Sequence, residues 1–180
     1  MQRSFLKLHP DTRSPQVASI QVAIARLPAG GLGLTFDLVG DLAGLRIPET
    51  VPAARAEGLW RHTCFEAFIS VEGGAYREFN FSPSGQWQAY EFAGYRDGGL
   101  LAAAVDPRIT AERQAATLRL QATIDADDLP PGSTSRRRLG LSAVIEAADG
   151  AISYWALRHA PGKPDFHHPD TFALELFPCP

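Results

Sequence analysis

The sequence predicts an all-β fold: an antiparallel two-sheet β-sandwich, of the immunoglobulin-like or jelly-roll type, with about ten strands and almost no helix. Three observations predict it. Short runs alternate apolar and polar residues, as in Leu32 to Val39, where every second residue is apolar. Brief connections rich in Gly, Pro and Ser join these runs, and the chain contains 16 glycines and 14 prolines. Asp149-Gly150, between two such runs, is a strong hairpin signal.

The predicted strands follow from this alternation, taken in chain order. The alanine-rich residues 101–115 would suggest a helix, but Asp106-Pro107 interrupts them, so an extended segment is expected there. Pro48 to Gly58 is expected to be a loop, and no repeat or composition shift divides the chain, so one domain over residues 1–180 is predicted. The expected strands cover residues 17–27, 32–39, 45–47, 60–71, 76–81, 86–95, 108–113, 116–124, 139–147, 151–159 and 171–177.

Composition limits the class of protein. The chain has 180 residues, of which 45% are hydrophobic and 21% charged, as in soluble globular proteins. The net charge of −3 gives no electrostatic case for nucleic acid, and no apolar run suits a membrane span or a signal peptide, so a cytoplasmic location is expected. Two cysteines, Cys64 and Cys179, are expected to be free thiols, with a disulfide between them left open. The oligomeric state is not indicated.

The stretch from Leu59 to Phe92 sets polar side chains among aromatic ones. In a strand beginning at Trp60, one face would be apolar, and the other would be mixed and therefore suited to a ligand. Trp60 and Glu66 lie on the mixed face, roughly 20 Å apart if the strand is straight. They could line one pocket only if a bend near Thr63 brings them together. The apolar face comprises residues 65, 67, 69 and 71, and the mixed face residues 60, 62, 64, 66 and 68.

The run Tyr76 to Phe81 also has two faces. Phe79 and Phe81 are expected to face the core, which leaves Tyr76, Glu78 and Asn80 on a polar outer face. Glu66 and Glu78 could be considered as a carboxylate pair for glycoside hydrolysis. Because acidic residues are common on solvated sheet faces, and no nucleophile elbow, P-loop or dinucleotide motif is present, a non-catalytic role is favoured.

Three motifs in this stretch resemble a known family. They are Leu59-Trp60, then Phe65-Glu66-Ala67-Phe68-Ile69, then residues 76–85, YREFNFSPSG. This pattern is similar to that of the DOMON-like domains, which are similar in turn to the family 9 carbohydrate-binding modules. The resemblance covers roughly residues 15–178. It implies an antiparallel β-sandwich with a non-catalytic ligand-binding role, for sugars or, in other branches, for haem.

The resemblance also implies roles for particular residues. Trp60 and Glu66 match a stacking tryptophan and a hydrogen-bonding glutamate of the sugar-binding modules, and Trp155 is the candidate for the second half of an aromatic clamp. Haem in these relatives generally needs an axial Met and His. Because Met1 is the only methionine, no cofactor is expected, although ligation by two histidines stays open.

The leading hypothesis is therefore a small polar ligand, saccharide-like, held between Trp60 and Trp155. Trp87 is expected to lie in the core instead, as most tryptophans of small β-sandwiches do. The candidate ligand-binding residues are Trp60, His62, Glu66, Arg77, Asn80, Trp155 and Arg158.

Two alternatives stay open at this point. Three of the five histidines fall within the loop from Arg158 to Asp170, so a divalent metal site or a metal-dependent enzyme is the second hypothesis. Its candidate ligands are His159, Asp165, His167 and His168. The simpler interpretation is that this proline-fixed loop caps the sandwich or rims its pocket. The third hypothesis is a protein-protein interaction module.

Overall fold

Two antiparallel sheets make up the fold in the computed structural model, which describes residues 1–102, 104–131 and 137–176. A five-stranded sheet has the order β1-β3-β4-β10-β9. An eight-stranded sheet has the order β2-β12-β11-β5-β6-β7-β8, with β13 paired to the beginning of β11. The predicted all-β, two-sheet sandwich is confirmed.

The five-stranded sheet consists of β1 (Gln2–Phe5), β3 (Val17–Arg26), β4 (Leu32–Gly40), β9 (Ile109–Gln114) and β10 (Thr117–Ile124). The other sheet consists of β2 (Lys7–Leu8), β5 (Cys64–Ser70), β6 (Tyr76–Phe81), β7 (Trp87–Gly94), β8 (Asp97–Leu100), β11 (Arg137–Glu146), β12 (Ile152–Ala156) and β13 (Leu174–Leu176). The helices among the described residues are three 3₁₀ turns, Leu42–Gly44, Leu59–Arg61 and Pro169–Thr171. None of these helices has the length or apolarity needed to cross a membrane.

The core between the sheets is formed by one face of each strand. Every second residue of β3, β4 and β10 is buried, and Phe36 of β4 meets Phe65 of β5 with ring centroids 5.0 Å apart. Phe79 and Phe81 face this core as expected, and Trp87 lies in it, 2% exposed. The alternation that predicted these strands is thus the pattern that closes the sandwich.

The opposite face of the eight-stranded sheet is also covered, which the sequence did not indicate. Tyr76, Glu78 and Asn80, expected on a polar outer face, are all at most 5% exposed. A second apolar cluster covers this face, because Phe166 and Phe172 from the chain after β12 pack onto it. Its buried members are Phe68, Tyr76, Phe92, Val144, Ala156, Phe166 and Phe172.

Several predicted boundaries were wrong, each for a local reason. The strand expected from Trp60 begins at Cys64, because Gly58 adopts a positive φ of 72° and Leu59–Arg61 forms a 3₁₀ turn. Residues 45–47 contribute one isolated bridge, from Leu45 to Ala147. The closing strand begins at Leu174, after the 3₁₀ turn that Pro169 starts, and Phe177 lies outside the described residues.

Other elements were missed. The sequence predicted no strand before Val17, yet β1 and β2 pair with β3 and β12 there. It also predicted no strand between residues 95 and 108, but Asp97–Leu100 forms β8, after a turn at Arg96, whose φ is +55°. Glycine is needed at position 98, since a Cβ there would lie 2.0 Å from the Glu91 carbonyl oxygen.

The Cys64 thiol is free and fully buried in β5. Burial raises its pKa well above the usual value, and the nearby carboxyls of Glu66 and Glu78 act in the same direction. A buried thiol of raised pKa is a poor nucleophile. Cys179, its possible disulfide partner, lies outside the described residues.

Trp155 is buried and Trp60 is half exposed, so substituting each of them tests the fold. We expect Trp155→Ala to lower the free energy of unfolding by about 3–5 kcal/mol, because this side chain is 6% exposed in the core. Trp60 is 47% exposed, so Trp60→Ala should lower the free energy of unfolding by less than about 1 kcal/mol. Urea unfolding followed by circular dichroism measures both, and equal losses would contradict the assigned core.

Candidate functional site

A cavity of about 850 Å³ opens on the outer face of the eight-stranded sheet. Its floor comes from alternate residues of β5, β6, β7, β11 and β12, the ones that point away from the sandwich core. The chain between β12 and the third 3₁₀ turn, residues 158–168, forms one side and is called the rim loop below. The volume lies within the range typical of small-molecule sites, roughly 300–1,000 Å³.

Six aromatic side chains line the cavity. Trp60 stands at the mouth, half exposed, with the Arg61 guanidinium 5.1 Å from its ring centroid. Trp60 and Glu66 do line one pocket, because the 3₁₀ turn at Leu59–Arg61 supplies the bend that a straight strand would lack. The aromatic lining residues are Trp60, Phe68, Tyr90, Phe92, Tyr154 and Phe166.

Two carboxyl groups lie at the floor. Glu66 is 2% exposed and Glu78 5%. In the ladder between β5 and β6, Glu66 is opposite Asn80 and Phe68 is opposite Glu78. The two acids are therefore diagonal neighbours on one face, a spacing of roughly 7–8 Å.

Each carboxyl accepts one hydrogen bond from a neutral donor. The Ser142 hydroxyl donates to Glu66 Oε2 at 3.1 Å, and the Asn80 amide donates to Glu78 Oε1 at 2.7 Å. Burial raises the pKa of Glu66 well above its usual value, with the Glu78 charge adding to the effect and the Ser142 bond opposing it. Burial likewise raises the pKa of Glu78 to about 7, against the opposing effects of Asn80 and Arg96. The floor therefore holds a proton near neutral pH.

Two hydrogen bonds through the Tyr76 hydroxyl connect the turn between β7 and β8 to the rim loop. The Arg96 backbone N–H donates to the Tyr76 hydroxyl at 3.0 Å, and this hydroxyl lies 2.8 Å from His167 Nδ1. Burial lowers the pKa of His167 to about 4, the Arg96 charge acts in the same direction, and Asp165 opposes them. His167 is thus neutral at pH 7. Nε2 is 3.7 Å from Glu78 Oε2, so this contact is not an ion pair at neutral pH.

The rim loop is joined to the turn between β7 and β8 by Asp165. Arg96 Nη2 donates to Asp165 Oδ1 at 2.9 Å, and the Tyr95 hydroxyl donates to Oδ2 at 2.6 Å. The pKa of Asp165 is lowered although its partial burial acts to raise it, because the Tyr95 and Arg96 bonds outweigh the burial. The left-handed backbone of Arg96 aims its N–H at Tyr76 while its side chain reaches the rim loop.

Only part of the predicted ligand set meets in this cavity. Trp60 and Glu66 line it, and Asn80 supports it through Glu78. Trp155 does not reach it. Tyr154 faces the cavity, so its neighbour Trp155 faces the core, where its indole N–H donates to Ser153 Oγ at 3.1 Å.

The other three candidates lie elsewhere. His62 Nδ1 is 2.8 Å from Glu146 Oε2 in a separate, smaller depression. Arg77 points to the other face and donates to Glu91 and to the carbonyls of residues 127 and 129. Arg158 is exposed and outside the cavity lining.

The four candidate metal ligands do not converge. His159 Nε2 bonds to the Lys7 carbonyl oxygen, and His168 accepts from the Asp170 N–H at the start of a 3₁₀ turn. Asp165 and His167 are held by the rim contacts described above. Across residues 1–102, 104–131 and 137–176, no group of three or more His, Cys, Asp or Glu side chains is arranged to hold a metal ion. The geometry instead agrees with the simpler interpretation, in which this loop rims a pocket.

Among the cavity residues that the sequence interpretation missed are Tyr90, Phe92, Arg96, Tyr154 and Phe166. Strand register was the available signal for two of them. In the β6–β7 hairpin, Tyr90 is opposite Glu78 and Phe92 is opposite Tyr76, so the mixed face of β6 continues directly onto β7. Arg96 and Phe166 come from turns, where alternation carries no information.

Comparison with known proteins agrees with the fold. No family model and no curated protein matches the chain. One crystal structure, of a putative carbohydrate-binding protein from Bacteroides uniformis, superposes with a TM-score of 0.64 at 15% identity. The match covers 95% of this chain and 84% of that one. At this identity the likeness concerns the architecture.

The raised pKa of Glu78 predicts a pH dependence of stability. In its window, from about 4.5 to about 7, the folded state binds more protons than the unfolded state. The contribution of Glu78 to stability is therefore greatest below this window and falls as pH rises through it, by up to about 3 kcal/mol. Urea unfolding from about pH 5 to about pH 8 should show this slope, and Glu78→Gln should flatten it.

The matched control for this titration is Glu112→Gln, an exposed glutamate of β9 in the other sheet. It should keep the wild-type slope. A slope unchanged by Glu78→Gln would show that this carboxyl does not titrate in the window.

Proposed function

We propose that this protein binds a small polar, saccharide-like ligand in the cavity of the eight-stranded sheet. The observation that carries the proposal is the half-exposed Trp60 at the mouth, above two buried carboxyls within an aromatic wall. Aromatic faces stack on the apolar faces of sugar rings, and a few placed acceptors fix the hydroxyls. A small-molecule site typically combines an aromatic cleft with a small number of polar groups.

Two further facts support it. The family resemblance of residues 59–85 implies stacking by Trp60 and hydrogen bonding by Glu66, and both residues line the cavity. The neighbouring fold from Bacteroides uniformis is described as a putative carbohydrate-binding protein. The ligand site in this proposal consists of Trp60, Glu66, Glu78, Tyr90, Phe92 and Tyr154 rather than the Trp60–Trp155 clamp.

Thermal unfolding against a panel of mono- and oligosaccharides and nucleotide sugars tests the proposal. A ligand at about 10–100 times its Kd adds about 1.4–2.7 kcal/mol, which is several degrees at roughly 2–4 °C per kcal/mol. We expect Trp60→Ala to weaken binding by about tenfold or more, because stacking on an aromatic face is lost. Phe5→Ala, which removes an exposed aromatic ring from the other sheet, should leave binding unchanged.

Tryptophan fluorescence gives an independent readout. Trp87 and Trp155 are buried in the core, so a saccharide should change the emission of Trp60 alone. Trp60→Phe should abolish the spectral change while retaining part of the affinity. A saccharide that binds equally well to wild type and to Trp60→Ala would place its site outside this cavity.

A further inference from the structure

The floor of the cavity has hydrogen-bonding capacity that the protein does not use. Glu66 Oε2 and Glu78 Oε1 each accept a bond from a neutral side chain. Within the described residues, the remaining oxygens, Glu66 Oε1 and Glu78 Oε2, accept none. Both side chains are more than nine-tenths buried and line the cavity. Since both residues line the cavity, these oxygens can accept hydrogen bonds from the donors of a ligand.

The floor also lacks a cation of its own. Among the described residues, neither floor carboxyl forms an ion pair with a lysine or an arginine. The charge of Arg96 acts on Glu78, but the Arg96 guanidinium donates its hydrogen bonds to Asp165 and Tyr95 at the rim. His167, 3.7 Å from Glu78, is neutral at pH 7. Two buried acids therefore face the cavity without a positive partner.

The walls above these acids are suited to a positive charge. Tyr90, Phe92 and Tyr154 line the cavity, and a ring face attracts a cation within about 6 Å of its centroid. Trp60 already has such a contact with the Arg61 guanidinium at the mouth. Aromatic walls over buried carboxyls are the environment in which proteins bind ammonium groups.

We propose that the ligand carries a primary ammonium group, which binds at the floor between Glu66 and Glu78. This inference rests on the proposed saccharide-binding function and narrows its ligand class to amino sugars. An ammonium group has three N–H donors and can satisfy both free oxygens, whereas a hydroxyl has one donor and can satisfy one. The charges also orient the ligand, with its ammonium group toward the floor, because the acids lie inside. The basic residues that line the cavity, Arg61, Arg96 and Lys163, lie at the rim.

Binding of a cation should displace the proton held at the floor. A positive charge between the carboxyls favours their ionised forms, so the ligand enters as a proton leaves. Since Glu78 titrates at about 7, affinity for an amine should rise with pH up to that value. The titratable or charged groups that bear on Glu78 and Glu66 from the surrounding elements are Cys64, Tyr76, Tyr90, Arg96 and His167.

Titration calorimetry with two matched ligand pairs tests the inference. Glucosamine is compared with glucose, and cyclohexylamine with cyclohexanol, so each pair differs in an amine against a hydroxyl. We expect each amine to bind at least about tenfold more tightly than its hydroxyl partner at neutral pH. Measured in buffers of different ionisation enthalpy, amine binding should release protons at pH about 7.

Two variants assign the effect to the floor. Glu78→Gln and, separately, Glu66→Gln should each remove most of the preference for the amine over its hydroxyl partner and reduce the proton release. Glu112→Gln, far from the cavity, should keep both. If one floor variant does not fold, the other is enough to test the assignment. The comparison of amine with hydroxyl ligands on the wild-type protein requires neither variant.

The outcomes separate this inference from the proposed function. Glucose and glucosamine binding equally well would overturn the ammonium inference and leave saccharide binding in place. Cyclohexylamine binding tightly while neither sugar binds would support the ammonium site and overturn the saccharide function. No binding by either amine would overturn the inference, and an amine preference that survives both floor variants would also overturn it, because the site would then lie elsewhere.

Discussion

The period-two alternation of β5 is the constraint on which the rest of the molecule depends. Phe65, Ala67 and Ile69 close the sandwich core, and the residues between them, Glu66 and Phe68, face the opposite side. Every residue of this strand is buried, because the five-stranded sheet covers one face and the chain after β12 covers the other. A slip of one residue in register would place a carboxylate in the core and open the cavity floor, so packing and site are specified together.

The carboxyls at the floor oppose the stability of the fold that holds them. A buried acid without a cationic partner is most stable when protonated, and its neutral hydrogen-bond donors, Ser142 and Asn80, only partly replace water. The neighbouring aromatic cluster offsets this penalty by apolar burial and stacking, as in the Tyr76–Phe92 pair, whose ring centroids are 4.6 Å apart. A polar ligand would relieve the same penalty, so folding and binding act on one pair of groups.

Alternation and turn chemistry were enough to predict most of the architecture. The runs that became β3, β4, β6 and β10, and the hairpin at Asp149-Gly150, follow from local sequence. β8 could not be predicted from local sequence, because Asp-Gly-Gly has little strand propensity. It pairs with β7 because of the position of the preceding turn. Likewise, no local signal showed that Phe166 and Phe172 would cover the outer face.

Two residues of the candidate cavity were predictable because two observations coincided. Trp60 and Glu66 were found from the mixed composition of their stretch and its family resemblance, and the bend that joins them was recognised as a condition. Trp155 was misassigned because Tyr154 and Trp155 are adjacent aromatics on β12. One of them must face the core, and nothing in their immediate sequence decides which; the structure shows Ser153 satisfying the indole N–H there.

The location of Trp60 has an evolutionary consequence. Its turn is held by local hydrogen bonds, from the Arg61 N–H to the Gly58 carbonyl and from the His62 N–H to the Leu59 carbonyl, and contributes nothing to the strand ladders. Glu66, by contrast, is fixed within a fully buried strand. Substitutions in the turn can therefore alter the mouth while the sheet keeps its register. Descendants of this chain could acquire new preferences at the entrance and inherit the acidic floor unchanged.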